Sequence, residues 1–271
     1  MSPANHILLS THDLGVEVPG RQLVDALDVS FMHGEFIAVL GRNGAGKTLT
    51  LTTLAGLRIP SRGSVSLAGK EMGTIRRQDV AKRLALLPQD VDDVFPSTVL
   101  DTALIGRHPH VGRLRWESQD DRAAAQDALR TMAVDSLAAR DVLTLSGGER
   151  RRVAIAQILA QAPETYLLDE PTNHLDPQHQ LDVLNVFRGV ADDGACVIAS
   201  LHDVNLASRY ADRCLLLYGD GRWELGTCDD ILTEPRLNAL YGTRMEAIDW
   251  RDGRVFVATG ETDSAKPSSI P

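Results

Sequence analysis

The tightest constraint on this chain is one octapeptide. Gly41-Arg42-Asn43-Gly44-Ala45-Gly46-Lys47-Thr48 stands directly after an apolar run, Phe36–Leu40, and opens a helical pattern running from Lys47 to Leu57. It matches G-x-x-x-x-G-K-[S/T] in the strand–loop–helix context that this pattern needs. Its three glycines let the backbone curl until successive N–H groups point inward at phosphate oxygens. The positive end of the following helix adds to that attraction. In such a loop Lys47 neutralises charge on the β- and γ-phosphates, and the Thr48 hydroxyl holds Mg2+. A glycine-rich loop without a ligand is the competing explanation, and the flanking strand and helix count against it. The loop alone does not choose among GTPases, kinases and ATPases, although no NKxD guanine-reading motif occurs in the chain.

The rest of the chain alternates short apolar runs with longer helical patterns. Phe36–Leu40, Tyr166–Leu168, Cys196–Ala199 and Cys214–Leu217 are uninterrupted apolar runs of strand length. Such runs suit parallel strands covered on both faces. Helical patterns occupy Arg122–Met132, Gly147–Gln161 and Gln178–Val190. Together they predict an α/β fold, a P-loop NTPase core with a largely parallel sheet. Residues 7–40 and 64–68 hold short strand-like pieces bounded by Gly, Pro and Asp, which predicts an N-terminal antiparallel β subdomain. From about Asp90 to Ala160 the pattern is helical and polar, with Ser118 and Asp121 as a capping signal, which predicts an inserted α-helical subdomain. The expectation is a single domain over residues 1–260, with 1–89 and 161–260 as the core and 90–160 as the helical subdomain. A Ser/Pro/Lys-rich tail at 261–271 is expected to be disordered.

Composition narrows the function classes. Aromatic residues are only 4% of 271, so the core must be built from Leu, Val, Ile and Ala. The net charge of -9 argues against a sequence-independent nucleic-acid binder. Arg150-Arg151-Arg152 is therefore expected to make solvated or subunit-interface contacts. Cys196, Cys214 and Cys228 lack metal-ligand spacing and fit free thiols of a reducing cytoplasm. Met1–Leu9 has no basic region followed by an apolar core, and no run approaches the roughly 18 apolar residues of a membrane helix. The chain is thus expected not to span a membrane by itself.

Two further motifs carry chemistry. Tyr166-Leu-Leu-Asp169-Glu170-Pro171 is an apolar run ending in two carboxylates. A buried strand that delivers Asp169 at its end suits a Mg2+ site, and Glu170 is then placed to orient or deprotonate water. Leu145-Ser146-Gly147-Gly148-Glu149 precedes a long amphipathic helix, with Ser146 and Glu149 as a capping box. The bare Gly147 and Gly148 amides at that helix start favour an anion.

Gly41–Thr48, Gln89, Leu145–Glu149, Tyr166–Glu170, Asp176 and His202, in this order, resemble the ATPase domain of ABC transporters over roughly residues 7–245. The resemblance implies ATP and Mg2+ as ligands and a head-to-tail homodimer. In it, Ser146 and Gly147 contact the γ-phosphate held by the opposite subunit, with Gly148 beside them. It also implies that Gln89 approaches Mg2+ and water, that His202 contacts the γ-phosphate and helps Glu170 fix the water, and that Asp176 lies in the loop crossing the dimer interface. One departure is visible. The family often stacks adenine on an aromatic residue upstream of the phosphate loop, and no Phe, Tyr or Trp precedes Phe31 here. Val18 stands near that position, a swap expected to weaken base binding by about 1 kcal/mol.

Phe95–Val99, Ile105–His110 and Thr172–Pro177 resemble the importer subgroup that takes up iron–siderophore complexes, haem or cobalamin. That implies integral-membrane permease subunits as partners and, indirectly, a substrate-binding protein. The chain would sit peripherally on the cytoplasmic face of the inner membrane, with no nucleic acid involved. An exporter ATPase, or an ATPase acting on ribosomes or DNA, is the alternative. His108 and His110 lack a third ligand and are not expected to hold a metal.

Overall fold

The computed structural model describes residues 6–90, 96–112, 116–251 and 253–260. The expected tail at 261–271 and Phe95 lie outside them. Strands β1 (Ile7–Val18), β2 (Arg21–Leu27) and β3 (Ser30–Met32) come first, so the run before the phosphate loop is β4 (Phe36–Leu40). Every residue of β4 is buried. Its side chains divide by parity: Phe36, Ala38 and Leu40 join one apolar cluster, and Ile37 and Val39 join another. A strand with a core on each face must be apolar throughout, which explains the uninterrupted run.

Helix α1 (Lys47–Leu54) follows, then β5 (Arg62–Leu67), β6 (Lys70–Glu71), α2 (Arg77–Ala81) and β7 (Leu84–Leu87). Strands β1, β2, β3, β5 and β6 form the antiparallel sheet. Together with α1 this sheet covers one face of the core. Helix α1 stops three residues short of the expected Leu57, because Gly56 takes φ 66° and turns the chain out of the helix.

Helices α3 (Val99–Ile105), α4 (Gln119–Thr131) and α5 (Gly147–Gln161) come next and pack on one another. Helix α4 starts earlier than the expected Arg122, since Ser118 and Asp121 form a complete capping box. Then come β8 (Thr165–Leu168), α6 (Pro177–Asp192), β9 (Cys196–Ser200), α7 (Val204–Tyr210) and β10 (Arg213–Leu217). The central sheet runs β11-β10-β4-β9-β8-β7 and is parallel except for β11 (Trp223–Thr227), which pairs antiparallel with β10. Helices α8 (Cys228–Ile231) and α9 (Glu234–Tyr241) and the hairpin of β12 (Met245–Trp250) and β13 (Gly253–Ala258) complete the chain. Strands β11 to β13 had no assignment from the sequence. Their residues are mostly half-buried or exposed, so they lack the uninterrupted apolar pattern.

No helix among the described residues is long and apolar enough to cross a membrane. The parallel order brings the carboxyl ends of β4, β7, β8 and β9 to one rim of the sheet. That rim is where ligands bind in open α/β sheets.

Candidate functional site

Each strand of that rim delivers one part of the site. The end of β4 leads into the phosphate loop. Gly41 is required there by close approach, because a Cβ would stand 2.5 Å from the Leu217 carbonyl oxygen. Gly46, at φ 103°, caps the start of α1. Lys47 is 5% exposed, and its Nζ donates to the Gly41 carbonyl at 2.9 Å. Burial lowers the Lys47 pKa, opposed by the nearby carboxylates of Glu170 and Asp169.

The end of β8 leads into Asp169 and Glu170, both buried. Glu170 is left-handed at φ 50°, a conformation that strains a residue with a Cβ. Its surroundings hold it there. The Glu170 N–H donates to Ser200 Oγ at 2.8 Å, and the Ser200 hydroxyl donates to Asp169 Oδ1 at 2.7 Å. One Glu170 carboxylate oxygen meets His202 Nε2 at 2.5 Å. The other accepts from the Asn173 side-chain amide. The end of β9 thus supplies both Ser200 and His202.

The end of β7 supplies Gln89. Behind it lies Arg151, which corrects the expectation of solvated or interface contacts for this arginine. Its guanidinium is buried and donates to the carbonyls of Pro88 (2.7 Å), Gln89 (3.1 Å), Asp169 (2.7 Å), Glu170 (2.8 Å) and Pro171 (3.4 Å). Burial pulls the Arg151 pKa down to about 10, against the pull of Asp169, Asp90 and Glu170. The helix that begins with Gly147 is therefore pinned to both the Gln89 loop and the Glu170 turn.

These elements enclose one cleft of about 720 Å3. It is lined by Arg42, Asn43, Gly44, Gly46, Lys47 and Thr48 of the phosphate loop, by Gln89, Glu170, Asn173 and His202 at one end, and by Val18, Arg21 and Leu23 at the other. Of the expected residues, Gly41 and Ala45 shape the loop from beneath, and Asp169 stands behind Glu170. Ser146, Gly147, Gly148 and Asp176 do not line this cleft. Ser146 caps α5, its N–H donating to Glu149 Oε2 at 2.8 Å while its Oγ accepts from the Glu149 N–H at 3.3 Å. Ser146 and Gly147 are exposed. Asp176 caps α6 by accepting from the His179 N–H at 3.0 Å and pairing with His179 Nδ1 at 2.8 Å. That bonding lowers the Asp176 pKa.

Arg21, Asn173, Ser200 and Arg151 were not singled out as site residues from the sequence. Periodicity carried a signal for Arg151, since Ile155 and Ile158 share its buried helix face. Ser200 closes an otherwise apolar run two residues before His202.

Comparison with known proteins identifies the family. A family model described as ABC transporter matches residues 24–173. The hemin import ATP-binding protein of Deinococcus radiodurans is 44% identical over 85% of this chain and 88% of its own length. The cobalamin import ATP-binding protein of Halobacterium salinarum is 38% identical over 88% of this chain. The chain spans 59% of the length of that relative. Among solved structures, an ABC transporter in an inward-facing conformation aligns with a TM-score of 0.81 at 28% identity, covering 93% of this chain and 97% of that one. Phosphate loop, fold and relatives agree: the chain belongs to the family of ABC transporter ATP-binding proteins.

Proposed function

We propose that the chain hydrolyses ATP as one half of a homodimer and drives an importer of metal chelates such as iron–siderophore complexes, haem or cobalamin. The observation that carries the catalytic part is Glu170, buried between His202 and Asn173 and facing the same cleft as Lys47. The triphosphate lies along the phosphate loop, where Lys47 exchanges its Gly41 carbonyl for phosphate oxygens. Glu170 orients a water and takes its proton as the water oxygen bonds the γ-phosphorus and the bond to ADP breaks. His202 holds the Glu170 carboxylate in line.

Thr48, Asp169 and Gln89 offer a hydroxyl, a carboxylate and an amide carbonyl, a hard-oxygen donor set that fits Mg2+. Bound there, Mg2+ would neutralise charge on the phosphates. Ser146, Gly147 and Gly148 lie outside their own cleft, which supports a role at the nucleotide of the partner subunit. Asp176 fixes the start of α6 and with it the loop that would cross the interface.

The importer part rests on relatives that are named for hemin and cobalamin import and on a solved structure described as of metal-chelate type. In this reading the chain sits peripherally on the inner membrane, bound to permease subunits and served by a substrate-binding protein. Gentle purification from detergent-solubilised membranes tests this. Co-elution of a polytopic permease is the expected result. A wholly soluble protein that travels with ribosomes or DNA would overturn the transport role and leave the hydrolysis role standing.

A further inference from the structure

Cys214 and Cys228 take no part in the cleft, yet folding brings their sulfurs together. Cys214 lies on β10 and is fully buried, while Cys228 opens α8 and is half-buried. Fourteen residues apart in sequence, their Sγ atoms stand 3.4 Å from each other. The pairing of β10 with β11 sets Cys214 opposite Gly226, so only two more residues bring the chain to Cys228. Cys228 Sγ also lies 3.0 Å from the Ala211 carbonyl oxygen and 3.8 Å from that of Ala207. Both carbonyls belong to the last turn and cap of α7, the helix that starts two residues after His202. One chain of hydrogen bonds fits these contacts: the Cys214 thiol donates to Cys228 Sγ, and the Cys228 thiol donates to the Ala211 carbonyl. The bond from Cys214 lowers the Cys228 pKa, against burial and the carboxylates of Asp212 and Asp229. The same bond, together with burial, raises the Cys214 pKa. Cys196 differs: it is fully buried in the other apolar cluster, and burial raises its pKa.

We propose that Cys214 and Cys228 are a reversible oxidation site, a dithiol that peroxide closes to a disulfide and that slows ATP hydrolysis when closed. The Cys228 thiolate attacks one peroxide oxygen, the O–O bond breaks, and the departing hydroxide takes up a proton as water. The Cys214 sulfur then attacks the sulfenic acid left on Cys228. The S–S bond forms, the S–O bond breaks, and the leaving hydroxide carries off the Cys214 proton as water. Two electrons pass from the sulfurs to peroxide, and a dithiol reductant returns them. An accessible thiol beside a resolving thiol is the arrangement of redox-sensing cysteines. The sulfurs have only to close from 3.4 Å to the roughly 2.05 Å of an S–S bond. Neither Sγ then carries a hydrogen, so the Ala211 carbonyl loses its donor and the end of α7 loses that tie to α8. The effect on hydrolysis rests on the role proposed for His202, which stands just before α7.

Hydrogen peroxide treatment of the full-length protein tests this, alongside Cys228→Ser and Cys196→Ser. Thiols titrated after unfolding should fall from three to one, and peptide mass spectrometry should find Cys214 joined to Cys228. The thermal midpoint should rise by roughly 5 °C, because the cross-link closes a short loop in the unfolded chain. Turnover at saturating ATP should fall by about threefold, the scale of one weak hydrogen bond, and return with dithiothreitol. Cys228→Ser keeps a hydroxyl donor for Ala211, so its turnover should match that of the untreated protein and ignore peroxide. Cys196→Ser should respond as the unsubstituted protein does. Three thiols after treatment, or Cys228 oxidised further without a cross-link, would overturn the site. A lowered midpoint would show that the fold does not hold the two sulfurs ready to bond, and unchanged turnover in the cross-linked protein would remove the brake; either result overturns the proposal. If His202→Ala hydrolysed ATP at the full rate, the His202 reading would fall and the brake with it, while the thiol count would still report whether the pair closes.

Discussion

Glu170 and Arg21 stand at opposite ends of one cleft, and they are held in different ways. Glu170 is buried and held by four neighbours, with Ser200 and Arg151 on its backbone and His202 and Asn173 on its carboxylate. Arg21 is exposed on a hairpin tip, and among the described residues its guanidinium is held through one hydrogen bond, to Gly219. Buried polar groups are costly unless every partner is present, so a closed network rigidifies its members. A hairpin tip can change a side chain without disturbing a core. The inner end should therefore respond steeply to single substitutions, and the outer end mildly.

The steepest response is expected at Glu170. Glu170→Gln keeps the shape and the contact to Asn173 but removes the carboxylate proposed as the base. Turnover should fall by at least about a hundredfold, the lower range for losing a general base. ATP-bound dimers should persist, as seen by size-exclusion chromatography with ATP present. Normal turnover in this variant would remove Glu170 from the chemistry and leave the buried network without a catalytic purpose.

Arg151→Met comes next, and it tests the rigidity. Methionine fills similar space but abandons five carbonyl acceptors. At about 2–3 kcal/mol for the loss of charge-assisted bonds, the thermal midpoint should drop by roughly 5–10 °C in a domain of this size. Turnover should fall as well, because the Gln89 loop and the Glu170 turn lose their common anchor. An unchanged midpoint in scanning calorimetry would show that these carbonyls are satisfied by water. The inner end would then be less rigid than its burial implies.

Why the inner end was only half legible in the sequence follows from the same physics. Gly41–Thr48, Asp169 and Glu170 were singled out because motif chemistry needs them at fixed places relative to strands, and His202 only through the family resemblance. Those strands were found because a sheet with a core on each face leaves uninterrupted apolar runs. Three consecutive arginines, by contrast, look alike until one asks which faces inward, and only the spacing from Arg151 to Ile155 and Ile158 says so. Asn173 reaches Glu170 through a turn whose left-handed residues, Glu170 and His174, nothing in the local sequence demands. Arg21 became visible only when pairing set it beside Val18 and folding brought Gly219 across the loop. The hairpin of β12 and β13 was missed because its exposed positions include Ile248, Trp250 and Val257, which blurs the alternation of a half-buried strand.

A milder test at the inner end is Ser200→Ala. The serine hydroxyl bonds both the Glu170 N–H and Asp169 Oδ1. Its loss leaves a buried donor unsatisfied, worth about 1–2 kcal/mol, so turnover should fall by about tenfold while ATP binding holds. A fall no larger than twofold in steady-state assays would mean that the strained Glu170 backbone keeps its shape without the serine.

The smallest effect is expected at the outer end. Val18→Tyr alone places an aromatic ring beside Arg21, where the cleft is lined by an aliphatic residue. One aromatic contact adds about 1 kcal/mol, so nucleotide affinity should tighten by about fivefold. ATP and GTP should gain alike, because the ring reads a face and not an edge. Turnover at saturating ATP should stay unchanged, since nothing at the inner end contacts the hairpin tip through a hydrogen bond among those described. This last expectation sharpens the contrast most. If tighter base binding also altered the saturated rate, the two ends would be mechanically coupled through the phosphate loop. The exposed hairpin would then set catalysis as well as affinity.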